Sequence, residues 1–160
     1  GADGPVDVAR AADAGAHLVR VALIEGVLEA VIPAEVPGWL FVRVARATGD
    51  DTSEGLGRRV RDSVLDLDPR DDGVGALPFV VVVGEDADLQ SAVDPFFHWL
   101  AQMDPGRDMV VRAASERAGF DATPKTAGDA VGGRPVRAWP PILRTPPDVT
   151  ARCLGIRQGE

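Results

Sequence analysis

The side chains able to do acid–base, nucleophilic or ligating chemistry are few and scattered in this sequence. His17 and His98 are its two histidines, each on a helical pattern and neither with a partner at ligand spacing. His98 stands between Phe97 and Trp99, which reads as a packed aromatic cluster rather than a base. Ser53, Ser63, Ser91 and Ser115 lack the strand–elbow–helix context that exposes a nucleophilic hydroxyl. Gly55-Leu56-Gly57 falls inside a helical pattern, whereas a phosphate loop needs a strand and a turn before it. Glu85, Asp86 and Asp88 follow an apolar strand pattern at its carboxyl end, where α/β sheets often bind ligands. A solvated turn into the next helix explains these carboxylates equally well, and that reading is preferred. Asp121, Thr123 and Lys125 can bond locally to backbone, and Arg107 with Asp108 can bridge a helix end to a sheet. Lys125 is the only lysine beside sixteen arginines, so it is the one compact ammonium available for a phosphate or carboxylate. A structural role for it is preferred. Residue by residue, no catalytic, cofactor-binding or metal-binding position is assigned.

The elements that carry these residues follow from hydrophobic period. Val6 to Ile24 is Ala-rich, with Val8, Ala12, Leu18 and Val21 near one face, and predicts a helix ending before Gly26. Val27 to Ile32 and Trp39 to Ala47 predict two strands around Pro33 and Pro37-Gly38, hence one antiparallel pair. Thr52 or Ser53 caps a helix to about Leu67, with Leu56, Val60, Val64 and Leu67 three and four apart. Phe79 to Val83 has four consecutive valines, the mark of a strand covered on both faces. Asp94-Pro95 opens a helix to about Gln102, Met103 to Gly106 ends it, and a short strand from Asp108 to Ala113 follows. Strands alternating with helices imply parallel neighbours. The expected fold is therefore α/β, a mixed and mostly parallel sheet flanked by helices. After Ala118 the character changes: six prolines and three glycines between Pro124 and Pro147 exclude helix and central strand. That stretch, with Trp139, Ile142 and Leu143 in it, predicts an extended Pro-rich arm lying on a surface, then a short helix from Asp148 to about Leu154. The organisation is thus a core over 1–118 and an arm with terminal helix over 119–160 of the same domain.

Composition sets the class. At 160 residues, 45% apolar and 26% charged, the chain is the size and make-up of one globular domain. A net charge of -8 excludes a general nucleic-acid binder. The charge is uneven: 8 basic against 19 acidic residues up to Gly106, then 9 against 6 from Arg107 onward. A basic tail on an acidic body suits packing against an acidic surface, and self-association through the arm is expected. No apolar run approaches the roughly 18–20 residues needed to cross a bilayer. Asp3 and Asp7 replace the basic start of a signal peptide, and the single Cys153 makes no internal disulfide. A cytoplasmic protein is the default expectation.

Two stretches carry more. The first runs from Pro78 to Met109: Phe79-Val-Val-Val-Val-Gly-Glu-Asp-Ala-Asp, then Asp94-Pro-Phe-Phe-His-Trp-Leu-Ala-Gln-Met-Asp-Pro-Gly-Arg-Asp108. The second is Gly119-Phe-Asp-Ala-Thr-Pro-Lys125. Together, in this order and spacing, they resemble the buried strand, acidic turn, Trp-bearing helix, Met-Asp-Pro-x-Arg-Asp element and Gly-apolar-Asp-Ala-Thr-x-Lys motif of the C-terminal domain of UbiD-like, prenylated-FMN-dependent decarboxylases. The resemblance extends from about Arg20 to Asp148. It implies a parent enzyme that decarboxylates aromatic or α,β-unsaturated acids with prenylated FMN, a divalent metal and potassium. The resemblance also implies that the glutamate–arginine–glutamate catalytic set and the metal ligands belong to a flavin-binding domain. This chain would then make the subunit interface and close one side of the active site, and would hold no flavin tightly alone. Three departures stand out: Pro78 where the family has a lysine, Gly84 where it favours aspartate, and a short connection from Met109 to Asp121. The alternative from another class is a non-catalytic interaction or scaffold module that keeps the fold.

Overall fold

The structure is a computed structural model that describes residues 20–45, 53–68 and 77–125, with 18, 130–131, 134–135 and 148–149. Its centre is a five-stranded sheet in the order β1-β2-β3-β5-β4, formed by Val27–Val31 (β1), Trp39–Val44 (β2), Phe79–Val83 (β3), Met109–Arg112 (β4) and Arg117–Ala122 (β5). β2, β3 and β5 run parallel, and the two edge strands are antiparallel to their neighbours. The mixed, centrally parallel sheet is the fold expected from the alternation of strand and helix patterns, and β1–β2 is the expected antiparallel pair.

Helices lie on both faces of the sheet. Ser53–Leu65 (α1) packs Leu56, Val60, Val64 and Leu65 on Leu40, Val42, Val44, Val80 and Val82. On the other face, Asp94–Gln102 (α2) lays Phe96 and Trp99 over Phe41, Val81, Phe120 and Ala122. Period-2 alternation sends Val80 and Val82 to the first layer and Val81 and Val83 to the second, and all four are fully buried. Trp39 organises the second layer: its ring stacks on Phe79 at 4.6 Å and meets Trp99 edge-on at 4.8 Å.

Element ends differ from the sequence reading in small ways. Of the helix expected over 6–24, the described end is helical through Ala22; Gly26 then turns the chain at φ 87, and residues before 18 lie outside the described set. Helix α1 stops at Leu65 rather than Leu67. Pro105–Asp108 (α3) is one helical turn, so β4 begins at Met109 instead of Asp108. The largest addition is β5, a central strand that runs across the change of character at Ala118. Beyond it, Ala130–Val131 (β6) and Arg134–Pro135 (β7) form a separate two-stranded antiparallel pair. Trp139, Ile142, Leu143 and most of the expected terminal helix lie outside the described residues; Asp148 and Val149 are helical.

β5 explains how α1 ends. Arg117 is buried, and its guanidinium donates to the carbonyls of Val64 at 3.1 Å, Leu65 at 2.7 Å and Leu77 at 3.1 Å. Two of these carbonyls are among the last of α1, which have no partner within the helix. The cation also sits at the negative end of the helix dipole.

Candidate functional site

The two motifs meet in a buried knot of charged side chains. Asp108, Asp121, Thr123 and Lys125 are each almost fully buried; Asp108 closes α3, Asp121 lies near the end of β5, and Thr123 and Lys125 follow that strand. Buried charges persist where they are paired and hydrogen-bonded, and these are. Lys125 Nζ lies 3.0 Å from Asp121 Oδ1 and 3.8 Å from Asp108 Oδ1. The same ammonium donates to the carbonyls of Asp121 at 2.9 Å and Thr123 at 3.0 Å. Asp121 Oδ1 also accepts from the Thr123 hydroxyl at 2.6 Å and the Thr123 amide at 3.1 Å. Its second oxygen, Oδ2, is buried with no hydrogen-bond partner among the described residues.

Asp108 is held from the other side. Arg107 grips its carboxylate through Nε at 2.8 Å and Nη2 at 2.6 Å, and the Asp104 amide donates to Oδ2 at 2.9 Å. That hydrogen bond to Asp108 raises the Arg107 guanidinium above its ordinary value, against the opposing pull of burial. A raised cation stabilises the fold fully below the ordinary guanidinium range and is lost only as pH rises through the higher folded value. Arg107 therefore stays charged through the whole neutral and acid range. Arg61 of α1 donates to the Asp108 carbonyl at 2.8 Å, which ties α1, α3 and β5 into one cluster.

Helix α1 approaches the knot through Gly57. A Cβ there would overlap Asp121 Oδ1 and come within 2.8 Å of Thr123 Oγ1. Alanine in place of a helical glycine ordinarily stabilises by about 0.5–1 kcal/mol. Gly57→Ala should do the reverse, costing about 1–3 kcal/mol because the carboxylate it meets is pinned. Urea denaturation checks the sign; a variant more stable than the parent contradicts the contact.

The other residues singled out in the sequence do separate things. His98 is buried, with Nε2 3.4 Å from Asp94 Oδ2 one helical turn before it, a pairing the sequence reading passed over. Its ring meets Phe97 edge-on. Glu85, Asp86 and Asp88 are exposed, and the turn they form is fastened by its neighbours: the Arg43 guanidinium donates to the Glu85 carbonyl and to Glu29, and Gln90 donates to Glu29 at 2.7 Å. Asp94 accepts from the Asp88 amide at 2.8 Å. Ser91 accepts from the Asp94 amide at 3.2 Å and Ser115 donates to the Arg112 carbonyl, so both serve turns. Gly55 to Gly57 lie within α1. His17 and Cys153 are outside the described residues. Among the described residues no group of three or more His, Cys, Asp or Glu could hold a metal ion, and no helix is long and apolar enough to cross a membrane.

The three departures from the family pattern have local causes. Pro78 offers no N–H, and its carbonyl accepts from the Ala118 amide at 2.8 Å in the register of β3 with β5. A Cβ at Gly84 would lie 2.5 Å from Pro124 Cδ, so Gly84 and Pro124 are matched to each other. The short connection is a hairpin, with Ala113–Ser115 as a 3-10 turn and Glu116 in the left-handed region at φ 54. Pro78 has no N–H to donate, and the Lys125 ammonium is taken up by acceptors of the knot.

No family model matches the sequence, and no curated protein is similar to it in sequence. Solved structures are similar in fold. The vanillic acid decarboxylase of Sedimentibacter hydroxybenzoicus in its open form superposes with a TM-score of 0.57 at 13% identity, over 88% of this chain and 31% of that one. The UbiD-class enzyme HmfF from Pelotomaculum thermopropionicum, in complex with FMN, gives 0.50 at 16% identity, over 84% of this chain and 30% of that one. An evolved dimeric form of HmfF in complex with prFMN gives 0.50 at 18%, over 72% and 25%. The chain thus spans less than a third of the length of these proteins. The resemblance carried by the two motifs holds at the level of fold: these residues adopt a fold that part of each of these UbiD-class enzymes shares.

Proposed function

We propose that this chain is the C-terminal domain of a UbiD-like decarboxylase, serving oligomerisation and closing one side of the active site. The parent acts on an aromatic or α,β-unsaturated carboxylic acid. Its prenylated FMN, divalent metal and potassium sit on a separate flavin-binding domain, which also supplies the catalytic acids. The observation that carries this reading is the knot. Two motifs, both taken from the family pattern, supply the two halves of one buried ion-paired cluster, Asp108 from the first and Asp121 with Lys125 from the second. A scaffold that had merely kept the fold would not need a charged centre, because well-packed apolar residues stabilise as well.

The coding sequence upstream of Gly1 tests the reading at once. A flavin domain in frame, carrying a glutamate–arginine–glutamate set, is expected; a reading frame without one supports the non-catalytic alternative. Since Pro78 has no N–H to donate and the Lys125 ammonium is taken up by the knot, the 160-residue chain alone should bind FMN no tighter than millimolar. Calorimetry checks this, and micromolar binding or a yellow purified protein contradicts it.

A further inference from the structure

Lys125 carries the only ε-amino group in the chain, and its side chain is fully buried. Oxygens crowd the nitrogen: the carbonyls of Asp121 and Thr123 at 2.9 and 3.0 Å, the Thr123 hydroxyl at 3.3 Å, and the carboxylates of Asp121 and Asp108 at 3.0 and 3.8 Å. Helix α1 lies against the same Asp121 oxygen through Gly57. Acylation of a lysine begins with a neutral, exposed nitrogen. Its lone pair attacks the carbon of an activated acyl donor such as a thioester, acyl phosphate or reactive ester. A C–N bond forms, the bond to the departing sulfur or oxygen breaks, and the surplus protons pass to solvent and the leaving group. In the knot the nitrogen's donors are committed and solvent does not reach it. The sixteen arginines offer no substitute, because a guanidinium keeps its proton throughout the neutral range.

We propose that Lys125 is a conformation-gated acylation site: activated acyl donors modify it only when the knot opens, and the modified chain cannot close the knot again. The second half follows from donor count and charge. An ammonium has three N–H donors, whereas the amide that replaces it has one. The amide is neutral, so Asp121 would return to a buried site without its paired cation. The added acyl group would also have to enter a space whose neighbours already stand at contact distance from the nitrogen. Acylation therefore drains the open state irreversibly, as proteolysis of an unfolded chain does. With no second ε-amine to react, the mark separates opened copies of this chain from closed ones. The gating rests on the knot alone and makes no use of the decarboxylase assignment.

N-hydroxysuccinimidyl acetate tests this on the 160-residue chain, with acetylation of Lys125 read by peptide mass spectrometry. In native buffer Lys125 should react at least about a hundredfold more slowly than in denaturing guanidinium chloride, the ratio being set by the open population. Gly57→Ala adds no amine and loosens the knot from α1, so it should speed the native reaction at least about fivefold. Should that variant fail to fold, guanidinium chloride below the unfolding transition replaces it and must accelerate acetylation of the parent. A chain acetylated while unfolded and returned to native buffer should melt well below a mock-treated chain refolded beside it. Native labelling as fast as denatured labelling overturns the gate. So does a native rate indifferent to Gly57→Ala and to mild denaturant. An acetylated chain that melts with the mock-treated one overturns the trap.

Discussion

A Val82→Asp chain will show no cooperative melting transition. Val82 is fully buried in β3, pairs in register with Val42 and Asp121 on the two neighbouring strands, and packs into the α1 layer. The nearest cations are already engaged: Lys125 is paired with Asp121 beside it, and Arg117 serves the end of α1. An unpaired carboxylate there costs several kcal/mol, about the whole stability of a domain this size. Val81→Asp should do the same through the opposite layer, against Phe41 and Phe120. Differential scanning calorimetry decides it. Cooperative melting of either variant near the parent temperature would mean that β3 is not the doubly covered centre of the sheet.

The second large effect belongs to Lys125. Lys125→Met keeps most of the unbranched stem and removes the charge that lies between Asp108 and Asp121. Of the two buried carboxylates, Asp108 would keep Arg107 on its oxygens, while Asp121 would lose the ammonium paired with it. Leaving a buried charge uncompensated costs about 3–5 kcal/mol. Lys125→Arg should not restore it, because a planar guanidinium cannot direct its donors at two backbone carbonyls and a carboxylate gathered around one nitrogen. Guanidinium chloride denaturation of both variants measures the loss. A Lys125→Met chain within 1 kcal/mol of the parent, a margin typical of exposed ion pairs, would show the knot to be solvated.

Much of this architecture is legible in the sequence, and what is not legible has physical reasons. β3 announces itself by four valines, α1 by its three-and-four spacing, and α2 by Pro95 at its first turn. The β1–β2 pair follows from turn residues between two apolar runs. β5 does not announce itself. Arg117-Ala-Gly-Phe-Asp-Ala has no β-branched residue, a glycine in its middle and two charges that end up buried. Tertiary contacts override its weak propensity: Arg117 finds the carbonyls of α1, Asp121 finds Lys125, and Gly119 sits where a Cβ would strike Leu65 and Arg61. The candidate site divides the same way. The local bonds of Asp121, Thr123 and Lys125, and the pairing of Arg107 with Asp108, can be read from spacing within each motif. Their union cannot, because it is made by the register of β4 on β5 and by the approach of α1 at Gly57.

Activity of the complete protein tests the proposed decarboxylase assignment most directly. The complete reading frame containing residues 1–160 should be expressed in cells that make prenylated FMN, purified, and supplied with a panel of aromatic and α,β-unsaturated carboxylic acids. Release of carbon dioxide from at least one of them is predicted, together with flavin absorbance in the purified protein. A well-folded product that carries no flavin and releases no carbon dioxide from any acid in the panel would contradict the assignment.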